Sequence, residues 1–325
     1  MHKWLLPEAI DDVLPTEAAQ IEALRRALLD HFAAHAYRLV SPPLIEHLDS
    51  LLTGSGRDLD LQTFKVVDPM SGRMVGVRAD ITPQVARIDS HLLNESGATR
   101  LCYAGSVLRA VAGGPGATRE VMQIGAELFG VPGIDGDREV IGLAVSSLRA
   151  AGLQGLHLDL GHVGIYRALE SGAGLSGAGE TGDLFDALRF KDRPAVVALT
   201  ERLPRVWRDA LVALPTLYGP ATEVLPAARD ALPDTPAIAN ALAALDALAT
   251  AAAPLVDALH VDLADLRGYH YHNGAIFSVF TAGEANAVGA GGRYDGIGKA
   301  FGRSRPATGF TLDLRQLADV LGRGG

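Results

Sequence analysis

A few polar side chains interrupt otherwise apolar, strand-like text. Arg78 and Asp80 close one hairpin pattern, Arg109 ends a later strand, and Gln123 and Glu127 lie four apart on the next. Even spacing on a strand puts Gln123 and Glu127 on one face. Arg267 opens a further stretch, Gly268-Tyr269-His270-Tyr271-His272, which reads as a strand with imidazoles on one face and phenols on the other. A floor of Arg, Asp, Gln, Glu and Tyr suits a zwitterion. Carboxylates take the ammonium group, an arginine takes the carboxylate in bidentate fashion, and Gln with Tyr complete the polar rim. The wet side of a half-exposed sheet carries the same residue types, so pattern alone leaves both readings open.

Other chemistry is poorly served. Gly172-Ala173-Gly174-Leu175-Ser176-Gly177 has the outline of a dinucleotide fingerprint. That motif works only where a strand enters it and a helix N-terminus leaves it toward the pyrophosphate. Helical text enters it here, so it reads as a flexible loop. Neither a G-x-S-x-G elbow nor a Walker A sequence occurs. Cys102 is the one cysteine, which excludes an intrachain disulfide and a multi-cysteine metal site. Its apolar strand neighbours suit a buried structural thiol. His31 and His35 are four apart on a helical pattern, with no third ligand placed beside them; they read as a solvated helix face. No metal and no cofactor are expected.

The elements that must position these residues follow from hydrophobic period. The 325 residues, 48% hydrophobic and 21% charged, can bury a substantial core. A net charge of −9 disfavours bulk nucleic-acid binding and anchoring to anionic membranes. The first residues lack a secretory pattern and no run reaches the ~18 apolar residues of a spanning helix, so a soluble cytoplasmic protein is expected. Residues 17–36 read as an amphipathic helix on Ile21, Leu24, Leu28 and Phe32, with Pro15-Thr16 as its cap. Residues 37–40 read as a short strand, 44–52 as helix, and 64–68 with 74–78 as a hairpin. A helix over 82–93 precedes strands at 101–109 and 120–129, which flank a Gly/Pro loop over 112–118. A strand at 157–161 precedes helices at 163–170 and 182–190. Residues 193–263, rich in Ala and Leu and broken repeatedly by proline, read as an all-helical insert. Strands return at 275–280, 285–290 and 308–312 before a final helix. The pattern predicts an α+β fold with an antiparallel sheet, the main domain covering 1–192 and 264–325 and the helical insert 193–263.

Several segments together match a known family. Tyr103-Ala104-Gly105-Ser106-Val107-Leu108-Arg109, the Gly-rich loop and residues 119–130 resemble motif 2 of histidyl-tRNA synthetases. Leu266-Arg267-Gly268-Tyr269-His270-Tyr271-His272-Asn273-Gly274 resembles their histidine-specific signature. Gly291-Gly292-Arg293-Tyr294-Asp295-Gly296 and Thr308-Gly309-Phe310 are similar to the approach to motif 3, and residues 37–43 to motif 1. The resemblance implies a class II aminoacyl-tRNA synthetase-like antiparallel sheet flanked by helices. It also implies a histidine-like pocket of Asp80, Thr82, Arg109, Gln123, Glu127, Arg267, Tyr271, His272 and Tyr294, His272 standing where the synthetases have a tyrosine.

The departures carry the functional expectation. Val111 stands where motif 2 has an ATP-contacting glutamate. Gln316 takes the place of the motif 3 arginine, with Asp313 ahead of it. Losing one preorganised charge donor typically costs about 3–4 kcal/mol, so the resemblance implies no adenylation and no catalytic residue. The chain runs to Gly325 without the synthetases' anticodon-binding part, so no tRNA is expected. This combination is similar to the regulatory-subunit family of ATP phosphoribosyltransferase, whose tract at residues 6–15 and ending at 304–310 it shares. Implied partners are the short-form catalytic subunit of that transferase, a second copy of this chain, and free histidine, with activation and histidine feedback as the role. A histidine-adenylating ligase and a histidine sensor acting on another partner are the alternatives.

Overall fold

Twelve strands, numbered in chain order, are present among the described residues of this computed structural model, which are 5–53, 57–114, 117–175 and 180–323. They are β1 (Arg38–Leu39), β2 (Ile45–His47), β3 (Phe64–Val67), β4 (Met74–Val77), β5 (Thr99–Leu108) and β6 (Glu120–Phe129). Then follow β7 (His157–His162), β8 (Tyr218–Pro220), β9 (Ala258–Asp262), β10 (Ala275–Phe280), β11 (Gly289–Arg293) and β12 (Ala307–Asp313). The chain divides into two units: Met1–Pro132 with Ser146–Leu153 and Asp295–Gly325, and Gly133–Val145 with Gln154–Tyr294.

In the first unit the strand order is β1-β5-β6-β12, and a smaller sheet runs β2-β4-β3. β5 and β6 are ten-residue antiparallel partners, β12 runs antiparallel to β6, and β1 is parallel to β5. The helix Pro15–Ala34 buries Ile21, Leu24, Leu28 and Phe32 and packs on this sheet and on the final helix, and Phe32 meets Phe310 edge-on with ring centres 5.8 Å apart. Burying each such side chain is worth roughly 1.5–3 kcal/mol. Pro15 is the first helical residue, not part of a cap, and no side chain caps that end. A proline fits there because the first N–H of a helix has no partner to lose.

The expected helix at 44–52 is half strand. Ile45–His47 pairs with β4 and only Leu48–Leu51 is helical, because pairing partners outweigh a short run's propensity. Residues 82–93 are helical as expected, as Thr82–Arg87 continued by a π-helical turn Ile88–Leu93. A buried ion pair lies behind them: Arg305 Nη1 is 2.9 Å from Asp89 Oδ1, the carboxylate fully enclosed and the arginine nearly so, with the Thr99 hydroxyl alongside.

In the second unit the order is β11-β10-β7-β9-β8. β7 and β9 are parallel; the other neighbours are antiparallel. Residues 193–263 are therefore not all-helical, since β8 and β9 add to this sheet. Three and five residues long, both were hidden in text dominated by Ala and Leu. The most apolar helix, Pro236–Ala252, buries Ile238, Leu242, Leu245 and Leu248 and packs on Val163–Gly172 and Ala221–Ala231. Continued to Leu255, its length and composition would suffice to cross a membrane, but its buried side chains are packed against those two helices. The helix Ile134–Ala150 has no counterpart in the sequence reading. The expected strand at 285–290 falls instead at Gly289–Arg293.

The stretch 268–272 is not a strand. Tyr271 and His272 both donate their N–H to Gly268 O, at 2.8 and 2.7 Å, and Gly268 holds φ +64°. Only a glycine adopts that conformation without strain, and a Cβ there would also strike the His272 ring. Two consecutive turns replace the alternation that sequence suggested.

Candidate functional site

Three rungs across β5, β6 and β12 build a face in the first unit. Leu101, Glu127 and Gly309 stand in register, as do Tyr103, Gly125 and Thr311, and then Gly105, Gln123 and Asp313. The glycines are what make it a site. A Cβ on Gly125 would lie 2.7 Å from Tyr103 Cζ, one on Gly309 would overlap the Glu127 carboxylate, and one on Gly105 would overlap the Arg78 guanidinium. Three side chains therefore lie flat over positions kept clear for them.

The segment 78–82 closes over this face. Ile81 N–H donates to Gln123 Oε1 at 3.0 Å, and Thr82 N–H donates to Asp80 Oδ1 at 3.0 Å. The Tyr103 hydroxyl lies 2.6 Å from the Thr311 hydroxyl and 3.2 Å from that of Thr82. Glu127, Gln123 and Tyr103 are fully buried. Burial drives the Tyr103 phenol well above its ordinary pKa, and the Glu127 and Asp80 charges push the same way, so Tyr103 stays a neutral hydrogen-bonding group. Arg78 is spent on carbonyls, donating to Pro42 O at 2.8 Å and Ser106 O at 2.9 Å.

Arg109 is fixed by its backbone, bridged to Thr63 and donating its N–H to Arg119 O at 2.8 Å. Its Nε is buried with no hydrogen-bond partner among the described residues, and its charge reaches Asp313. Burial pushes the Asp313 carboxyl up, while N–H groups of Arg315 and Gln316 and the Arg109 charge pull it back. Arg315 N–H donates to Asp313 Oδ1 at 3.0 Å, so this carboxylate starts the final helix, Leu314–Arg323. Val111 is exposed.

Five expected residues thus share one unit: Asp80, Thr82, Arg109, Gln123 and Glu127. The other four lie in the second. Tyr271 and Tyr294 stack with ring centres 4.9 Å apart, and His272 stands edge-on to Tyr271 at 5.2 Å. Arg267 turns to other groups: half-exposed, it donates from Nε to Asp265 Oδ1 at 2.9 Å, and its charge also acts on Asp159 and Asp262. The loop is clamped by Arg167, which donates to the carbonyls of Tyr269 and His272, both at 2.7 Å, beneath the Tyr269 ring. The Tyr269 hydroxyl donates to Glu170 at 2.7 Å.

Tyr103, Thr311 and Arg167 were missed by sequence reasoning. For Tyr103 a signal existed, a tyrosine directly opposite a strand glycine; for Arg167, on a helix about a hundred residues from its partners, none did. Of the helix-face pair, His35 is exposed, whereas His31 is half-buried, its Nε2 2.9 Å from Ser146 Oγ and its ring 4.4 Å from that of His35. Cys102 is buried as expected, its thiol pushed up to about 11 by burial. In the 172–177 motif, Ser176 and Gly177 lie outside the described residues; a helix, Val163–Gly172, does run into it.

Sheet, motif residues and final helix together define a class II synthetase-like protein. The histidyl-tRNA synthetase family profile matches residues 9–317. A solved structure from Bacillus halodurans, described as an ATP phosphoribosyltransferase regulatory subunit/histidyl-tRNA synthetase, superposes with TM-score 0.86 at 26% identity, over 98% of this chain and 83% of that one. The histidyl-tRNA synthetase of Nostoc shares the fold, with TM-score 0.79 at 15% identity over 100% of this chain and 77% of that one. Among curated relatives, the ATP phosphoribosyltransferase regulatory subunit of Ralstonia nicotianae is 56% identical over 98% of this chain and 82% of its own. That of Thiobacillus denitrificans is 54% identical over 98% of both. The chain belongs to the ATP phosphoribosyltransferase regulatory subunit family, a branch of the histidyl-tRNA synthetase-like proteins. The two curated relatives carry the name of a regulatory subunit and not of a catalytic chain, as the departures at Val111, Asp313 and Gln316 led us to expect.

Proposed function

We propose that this chain binds the short-form catalytic subunit of ATP phosphoribosyltransferase, activates it in the first step of histidine biosynthesis, and lets histidine inhibit the assembly. One observation carries the reading. The first unit keeps a buried polar face of Glu127, Gln123, Thr82 and Tyr103, suited to a small zwitterion, while Asp313 caps a helix where a synthetase would clamp a triphosphate. In this reading Glu127 and Asp80 take the ammonium group, and Arg109, with its buried Nε uncommitted, takes the carboxylate. Gln123 and Thr82 order the segment 80–82. Arg267, Tyr271, His272 and Tyr294 contribute the remaining histidine response.

Control of this kind needs no chemistry in the regulatory chain. An effector that favours one arrangement of the assembly by about 1–3 kcal/mol shifts affinity roughly 5–150-fold. The chain acts in the cytoplasm as a homodimer within a hetero-oligomer, without tRNA. The deciding experiment assays phosphoribosyl transfer by the catalytic subunit with and without this chain across a histidine titration. Stimulation that histidine reverses supports the reading; an unchanged rate and no complex on size exclusion would leave a sensor for some other partner. Histidine-dependent pyrophosphate–ATP exchange by the chain alone would make it a ligase.

A further inference from the structure

We propose that His157, Asp159 and His260 form a binding site for a divalent transition-metal ion, best filled by zinc, using none of the residues assigned to histidine. His157 and Asp159 are two apart on β7 and share a face. Asp159 is the register partner of His260 on the parallel neighbour β9, so all three side chains rise from the same face. One ligand atom from each lies within 4.8 Å of the others, and the three residues are half-buried. Zinc ligands sit at about 2.0–2.2 Å, which places tetrahedral partners about 3.3–3.6 Å apart; small side-chain rotations close that difference.

The arrangement without an ion is unsatisfied. His157 Nε2 and Asp159 Oδ1 approach to 2.9 Å, yet both are shielded from water and neither finds a well-directed hydrogen bond. The His157 and His260 rings meet edge-on at 4.1 Å, bringing two imidazoles toward one carboxylate. Buried polar atoms that converge without satisfying one another are rare in native proteins, and a cation among them gives each a partner. A donor set of two imidazole nitrogens and one carboxylate oxygen suits zinc, nickel or copper, whereas magnesium and calcium prefer oxygen alone. Three protein ligands in a half-exposed site leave a further position for water.

Nearby cations do not block the site. Lys191 is committed to Asp262 at 2.7 Å, and Arg267 donates to Asp265, although its charge is felt at Asp159. The structural consequence is a crosslink between strands about a hundred residues apart in sequence, which removes loop-closure entropy from the unfolded chain. Spacing along the sequence hides the set, which is why no metal was expected there.

The test uses the full-length chain, free of any histidine tag and stripped with chelator. Zinc titrated by calorimetry against a competing chelator should bind at one equivalent, and magnesium and calcium should not. Asp159→Asn and His260→Ala should each weaken zinc at least about tenfold, while His31→Ala with His35→Ala should leave it unchanged. Cobalt(II) added to the unaltered protein should give the strong visible absorption of a low-coordinate site, a readout that depends on no variant folding. Absence of that absorption, or zinc binding indifferent to both ligand substitutions, would overturn the proposal. Neither result bears on phosphoribosyl transfer, so this site and the regulatory reading fail independently.

Discussion

Glu127 faces Gly309 across β6 and β12, and its carboxylate occupies the space where any side chain at 309 would begin. The acid is therefore held by its neighbour's lack of a Cβ as much as by its own partners. Gly309→Ala should displace Glu127 and cost about 1–3 kcal/mol in overpacking. Chemical denaturation would measure that loss. The histidine response should fall further than the stability change explains, and an unaltered response would remove Glu127 from the site.

Removing the charge while keeping the shape separates binding from packing. Glu127→Gln should weaken histidine by about tenfold to a hundredfold, the usual worth of a charge-assisted hydrogen bond, with little change in melting temperature. Arg267→Ala should weaken the response too. Calorimetry finding full affinity in both variants would move the effector site elsewhere.

Arg305 and Asp89 make a different kind of demand. Both are enclosed, and burial holds the Asp89 carboxyl above its usual range despite the Arg305 charge that favours ionisation. Arg305→Ala should cost about 3–5 kcal/mol by stranding the carboxylate. Replacing both residues with apolar ones should recover much of it, which thermal unfolding of the single and double variants would show.

His162 should impose a pH dependence. Its Nδ1 accepts the Gly164 N–H at 3.1 Å at the start of a helix, and burial pulls its pKa down to about 4 from 6.5. Between those values the unfolded chain takes up a proton that the folded chain refuses, so stability is constant above about pH 6.5 and falls as pH drops toward 4. The loss at the bottom of that window is roughly 3 kcal/mol. His162→Asn keeps an acceptor for Gly164 and should flatten this part of the stability–pH curve.

The first unit was largely legible in the sequence because its signals are local. Strand limits at 120–129 and the hairpin around 69–72 follow from alternation and turn residues, and Gln123 and Glu127 sit on such a strand. What the sequence hid depends on distant partners or on backbone conformation. β8 and β9 are too short to show a period, and Ile45–His47 is a strand only because β4 lies beside it. The alternation of Tyr and His over 269–272 imitates a strand perfectly well, and one glycine at positive φ cancels it. Asp159 and His260 meet only through a parallel register that no spacing encodes.

Asp313 binds the first N–H groups of the last helix, the kind of place that attracts phosphates. A carboxylate tethered there holds those N–H groups at a local concentration that a dissolved anion would have to match. An arginine placed at Gln316 would first recruit that resident anion as its counter-ion.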